Sequence, residues 1–401
     1  MTSIPASRPA SPFPPKTPPV FLSRTALSNL VTALINRGYT VVAPTLCDGT
    51  ISYRPVTTVE QMAHGMRDQQ SAGTYRLVTG DPDLMFEHVV GFDAPKRYLF
   101  PPTQRLYQIH VEKDQFVLDA GPPQAPKLAF FGVRPCDLAA IRVQDRVFGA
   151  DDPRTMRCES ETYYTETRRQ ALLIAINCTN PGGTCFCTSM GTGPEAKGNF
   201  DLAMTELRGG FLVTVGSPQG AQILGELPTR EPSSAELELA ELKIKGAREH
   251  MGREMDTRGL KDLLADALEH PEFDDVAKRC LSCGNCTMVC PTCFCSTVTD
   301  STDLGPGAEG KATRTRQWES CFTHQFTYTT AGPLRNTIRG RYRHWLRHKL
   351  GTWFDQFGES GCVGCGRCIT WCPVGIDITV EAARIRATFG LLQVSGKEVA
   401  P

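Results

Sequence analysis

Cys280, Cys283, Cys286 and Cys290 stand at the spacing Cys-x2-Cys-x2-Cys-x3-Cys, with Pro291 directly after them. Cys362, Cys365, Cys368 and Cys372 repeat that spacing, again followed by proline, Pro373. Thiolates so placed bind iron–sulfur clusters, because three of them separated by two residues each wrap one cubane from a single tight loop. The fourth points elsewhere. Where two such runs occur together, the fourth cysteine of each ligates the other run's cluster. The spacing therefore predicts two [4Fe-4S] centres, one on Cys280, Cys283, Cys286 and Cys372 and the other on Cys290, Cys362, Cys365 and Cys368. Gly284, Gly364 and Gly366 fit loops folded this tightly, which need backbone shapes that glycine takes without strain. Zinc sites close with two Cys-x2-Cys pairs or with histidines and have no use for eight cysteines ending twice in Cys-Pro.

Four further thiols lie beside strand-like segments. LAFFGV (128–133) is a continuous apolar run of the kind found in the buried centre of a sheet, and Cys136 follows it. Leu138 to Phe148 then reads as a helix with Asp137 as N-cap. ALLIAIN (171–177) is a second buried strand and leads straight into Cys178, whose glycine-rich loop also holds Cys185 and Cys187. Ligands bind at the C-terminal edge of open α/β sheets. Cys136, Cys178, Cys185 and Cys187 are thus candidates for a third [4Fe-4S] centre, against the plainer reading of buried cysteines as small apolar fillers. Cys293, Cys295 and Cys321 could support a further cluster or pack beside the first, while Cys47 and Cys158 read as structural.

The elements that must position these residues divide the chain. Residues 1–20 are proline-rich and read as a disordered or extended arm. Leu27, Leu30, Val31 and Leu34 have helical periodicity, Gly38 stops that helix, and YTVVAP (39–44) is a short strand. These open an α/β domain over 21–230, with FLVTV (211–215) as a later strand, whereas the elements between Tyr75 and Tyr107 have no clear pattern. Helices over 233–251, with Ser234 and Glu238 in its first turn, and over 259–268 bridge across 231–272 into a helical two-cluster ferredoxin-like domain, 273–390, before a tail of 391–401. Residues 291–361 separate the two runs, more than a compact two-cluster domain needs, and carry a helical pattern around Arg335 to Phe354. Arg335, Arg339, Arg341, Arg343, Arg347 and Lys349 have no acidic residue among them. They suit either the charge of about −2 on each cubane or a solvated, partner-facing surface.

The 43 basic and 43 acidic residues balance, so overall charge points to neither nucleic acid nor a membrane surface. Seventeen cysteines clustered at ligand spacings indicate metal in a reducing compartment, the cytoplasm. No signal-peptide pattern opens the chain, and no run of about 18 apolar residues could span a bilayer. No Gly-x-Gly-x-x-Gly opens a helix after a strand, so neither NAD nor FAD has an evident site. GPGAEGKA (305–312) resembles a P-loop, but Ala312 replaces the magnesium-binding hydroxyl and no buried strand precedes it. The chain reads as carrying electrons without performing substrate chemistry itself.

GVRPCDLAAI, INCTNPGGTCFCTSMGTGP, RCLSCGNCTMVCPTCFC and HKLGTWFDQFGESGCVGCGRCITWCPVGIDI together resemble the iron–sulfur β subunit of the cytoplasmic sulfhydrogenases, or NAD(P)-linked [NiFe] hydrogenases. They are also similar to the electron-transfer subunit of the related anaerobic sulfite reductases. The likeness runs from about residue 21 to 390. It implies a relay of single electrons between a flavin subunit that exchanges hydride with NAD(P)H and a [NiFe] hydrogenase heterodimer, or, in the alternative, a sirohaem sulfite reductase. It also implies the eight C-terminal cysteines as ligands, with the N-terminal four beside them.

Overall fold

The structure, a computed structural model, describes residues 18–394 except residue 90 and segments 113–114, 121–124, 150–161 and 304–310. The N-terminal arm up to residue 17, Cys158, most of the P-loop-like segment and the last seven residues lie outside the described residues.

Apolar runs long enough to be covered on both faces build an eight-stranded sheet. Its order is Thr229–Arg230, Val20–Ser23, Gly210–Val215, Leu202–Leu207, Leu172–Ile176, Leu128–Val133, Thr40–Cys47 and Thr50–Val56. Leu202–Leu207, Leu172–Ile176, Leu128–Val133 and Thr40–Cys47 run parallel at its centre. The outer strands are antiparallel. Successive side chains of a strand face opposite sides, and this divides the core in two. Ala129, Phe131, Leu172, Ile174 and Ile176 pack with the helix Leu27–Asn36 on one face. Leu128, Phe130, Leu173 and Ala175 pack with Leu138, Ile141 and Tyr164 on the other.

One capping expectation is corrected. The helix after Leu128–Val133 is Pro135–Val147, its N-cap is Arg134, and Pro135 takes the first helical position, where its missing N–H costs nothing. Asp137 lies inside the first turn, with its carboxylate turned to Arg367 instead of to the helix amides. The bridging helix spans Ser234–Glu249, inside the expected 233–251, with Ser233 as its N-cap in a capping box with Glu236.

The segment between the cysteine runs carries the helical structure expected around Arg335 to Phe354, and ahead of it a pair of strands that the sequence did not show. Ser296–Thr302 and Ala312–Trp318 pair with each other and continue a sheet begun by Thr103–Glu112 and Gln115–Ala120. STVTDST is exposed along nearly its whole length and so carries no apolar face to read. Helical structure starts only after Thr337, with Ile338–Arg347, a π turn over His348–Thr352, and Trp353–Phe357. The helix Ile338–Arg347 packs its Tyr342, Trp345 and Leu346 with Leu260, Leu264, Phe273 and Val276 in a separate core that also contains Cys321, Cys362 and Cys372.

Candidate functional site

Both cysteine runs fold alike: a glycine in the left-handed conformation, Gly284 (φ 78°) or Gly366 (φ 75°), opens a single helical turn, Asn285–Met288 or Arg367–Thr370. The two runs share one cavity. A recess is lined by Cys280, Cys283 and Cys286 of the first run and by Cys368 and Cys372 of the second, with Phe322, Tyr342, Trp345 and Ile376 among its walls. Backbone amides fix the thiols: Ser282 N–H donates to Cys280 Sγ (3.3 Å) and Ile376 N–H to Cys372 Sγ (3.3 Å). The cavity fits an anionic, sulfur-bearing group, because Tyr342 Oη and Trp345 Nε1 are buried and find no hydrogen-bond acceptor among the described residues. Buried donors are normally satisfied. Cluster sulfides would accept from them.

Cys290 faces the second run. Burial pushes the Cys368 thiol well above its ordinary value, and the neighbouring Cys362, Cys365, Cys290 and Cys286 push it further. Burial likewise raises Cys362 to about 12. Gly364 N–H donates to Cys362 Sγ (3.4 Å), and the buried Lys349 reaches Cys290 Sγ (3.3 Å), Thr292 Oγ1 (2.8 Å) and Gly361 O (3.1 Å).

The N-terminal thiols meet this group from the other side. Cys136 and Cys178 follow adjacent parallel strands, and Cys136, Cys178, Cys185 and Cys187 are all buried. Burial, then Cys178 and Cys365, lifts the Cys187 thiol to about 12. Burial, Asp137, Cys365 and Cys187 raise Cys136. Arg134 donates to Cys178 Sγ (3.8 Å), Phe86 O (3.0 Å) and His88 O. The loops touch directly: Phe186 N–H donates to Gly364 O (2.8 Å), and a Cβ on Gly364 would stand 2.6 Å from Phe186 O. Only glycine fits there.

Thiols raised this far do not ionise at neutral pH unless a metal takes the proton's place. Among the described residues no three Cys, His, Asp or Glu side chains converge on a single ion. Ligands of one ion crowd its coordination sphere, at about 2.3 Å for zinc–thiolate bonds, whereas cluster ligands bind different iron corners and stand further apart.

The basic run is mostly an internal brace. Arg339 pairs with Glu269 (2.7 Å) and Asp274 (3.0 Å), and Arg343 with Glu269 (2.5 Å). Arg341 reaches Ser282 Oγ (3.2 Å) and Arg347 reaches Leu264 O (3.0 Å). Of the run, Lys349 is the residue that contacts a candidate ligand. Sequence reasoning missed Lys96, whose Nζ donates to Cys290 O (3.0 Å) and Cys293 O (3.2 Å), and the donors Tyr342 and Trp345. Tyr342 and Trp345 stand three apart on a helix, a pattern that reads equally as ordinary core.

Two cysteine runs folded onto a shared cavity define an iron–sulfur protein of the electron-transferring kind, and residues 279–376 match the family described as a 4Fe-4S dicluster domain. The chain is 32% identical over 313 residues to the sulfhydrogenase 2 subunit beta of Pyrococcus furiosus, covering 76% of this chain and 86% of that relative. It belongs to the iron–sulfur beta subunits of the sulfhydrogenases. No solved structure matches it. Among the described residues no helix is long and apolar enough to cross a membrane.

Proposed function

We propose that this chain relays single electrons in the cytoplasm between a flavin-containing, NAD(P)H-linked subunit and a [NiFe] hydrogenase heterodimer. The observation that carries this reading is the cavity on which Cys280, Cys283 and Cys286 meet Cys372 across the two runs. It supports one [4Fe-4S] centre on those four thiols and a second on Cys290, Cys362, Cys365 and Cys368, in a mostly helical two-cluster domain. The buried N-terminal four, Cys136, Cys178, Cys185 and Cys187, suit a third.

Each cluster, when bound, takes up or gives out one electron at a time. The chain's own residues hold the thiolates, donate N–H bonds to sulfurs and partly or wholly bury all of them but Cys283. The exposure of Cys283 brings the first centre near the surface, where a partner could reach it, while the N-terminal thiols are buried behind the second run. The test of function is isolation of the native complex: nickel and flavin should co-purify with the chain, and a sirohaem partner in place of nickel would overturn the hydrogenase assignment.

Two further outcomes are expected. Cys185→Ala should lower iron by about four atoms per chain while leaving the C-terminal centres' EPR signals intact; unchanged iron would remove the third centre. Lys349→Gln withdraws a buried positive charge from Cys290, so the midpoint potential of that centre alone should fall in an EPR-monitored redox titration. An unshifted potential would show that Lys349 serves packing only.

A further inference from the structure

The helix Glu272–Arg279 runs directly into Cys280, and the helix Ile378–Val394 starts just after Ile376, whose amide holds Cys372 Sγ. Both therefore abut thiols of the first centre. Phe273 and Val276 of one helix and Ile378, Ala382 and Ile385 of the other share a core with Tyr342 and Cys372. Charged side chains meet along this seam. Arg279 donates to Glu381 Oε1 (3.0 Å), pairs with Asp275 (3.0 Å) and lies 3.9 Å from Glu272. Arg384 stands 3.3 Å from Glu272, 3.6 Å from Glu381 Oε2 and 3.9 Å from Asp275. Three carboxylates thus face two guanidiniums, and one negative charge is left over.

Burial singles out Glu381. Its side chain is 2% exposed, against 14% for Glu272 and 52% for Asp275. Its Oε2 finds no hydrogen-bond donor among the described residues. A buried carboxylate short of donors holds a proton more readily than one in water. Burial, and then the Glu272 carboxylate, raise Glu381 to about 7 against the pull of Arg279. The other groups packed around the seam are already engaged. Both His270 ring nitrogens are hydrogen-bonded, to the Glu272 amide and the Thr388 hydroxyl, while Asp377 pairs with Arg253 and Asp274 with Arg339. Burial holds the Tyr342 phenol neutral.

We propose that Glu381 is a proton-uptake site coupled to the first centre, taking one proton from water when that centre gains an electron and returning it when the electron leaves. The proposal rests on the assignment of that centre to Cys280, Cys283, Cys286 and Cys372. Added negative charge nearby favours the protonated form of a carboxylate. The linkage is reciprocal, so a protonated Glu381 favours the reduced centre. The electron is the one the relay carries, the proton comes from solvent, and no ligand bond changes. Glu381 thereby offsets the charge of an electron held at the chain's exposed end.

The test is an EPR-monitored redox titration of the full chain, prepared anaerobically, at about pH 6 and about pH 8, on either side of the Glu381 value. It follows the signal that Cys283→Ser removes. In the wild type the midpoint potential should be lower at the higher pH. Glu381→Gln cannot titrate, so it should show one potential at both, close to the wild-type value at the lower pH. A packing role alone would displace the potential equally at both. A pH-independent wild-type potential, or a variant that keeps the wild-type slope, overturns the proposal and leaves the centre standing. Should Glu381→Gln fail to fold, Arg384→Gln removes a half-exposed guanidinium from the seam and is expected to move the sloping range to higher pH. An unmoved range counts against the site. If Cys283→Ser removes no signal, the first centre itself falls and the proposal with it.

Discussion

Cys372→Ser is expected to erase the same low-temperature EPR signal as Cys283→Ser, although the two cysteines belong to different runs. Cys372 lines the recess of Cys280, Cys283 and Cys286, and its sulfur is held there by the amide of Ile376. Either substitution should remove about four iron atoms per chain and reduce electron transfer through the assembled complex to background. Cys365→Ser should spare that signal and remove the other. If Cys372→Ser and Cys365→Ser extinguish one and the same signal, each run keeps its own fourth cysteine and the crossed assignment fails.

The second large effect concerns stability. Arg367 and Asp137 have side chains with no solvent exposure, joined by two bonds of 2.7 and 2.9 Å. Arg367 also donates to Gly91 O (3.1 Å) and Asp93 O (2.9 Å), so one guanidinium ties the second cysteine run to the α/β sheet. Breaking a buried pair by removing one partner leaves an uncompensated charge and costs about 3–5 kcal/mol. Arg367→Met should therefore lower the thermal midpoint by several degrees, with loss of the centre near Cys365. Arg367→Met/Asp137→Leu removes both charges and should recover part of that loss. A double variant no more stable than Arg367→Met would mean that the carbonyl contacts, and not the ion pair, carry the effect.

The spacing of the two runs made the 4Fe-4S dicluster domain legible, since thiols at such intervals have few other uses. The placement of Cys136 and Cys178 at adjacent strand ends was legible too, because LAFFGV and LLIAI admit hardly any other element. Asp137 misled. Its position before an apolar stretch suits a cap, and nothing local reveals an arginine 230 residues away that claims its carboxylate. Ser296–Thr302 had no readable pattern because its faces are both wet, and its partner Ala312–Trp318 gains meaning only beside Thr103–Glu112. Lys96 gave no signal at all: a lysine within a four-residue helix looks solvated until the fold buries it.

The close seating of Gly364 on Phe186 and of Gly366 on Thr184 bears on biogenesis. These contacts join residues 178 and 182 positions apart, so they cannot form while the ribosome is still making the second run. A third centre on the N-terminal loop would be sealed only once that run has been made. Iron delivery to this protein is therefore expected to be post-translational, and chains truncated before residue 360 should emerge unmetallated at the sheet edge even where the sheet itself has formed.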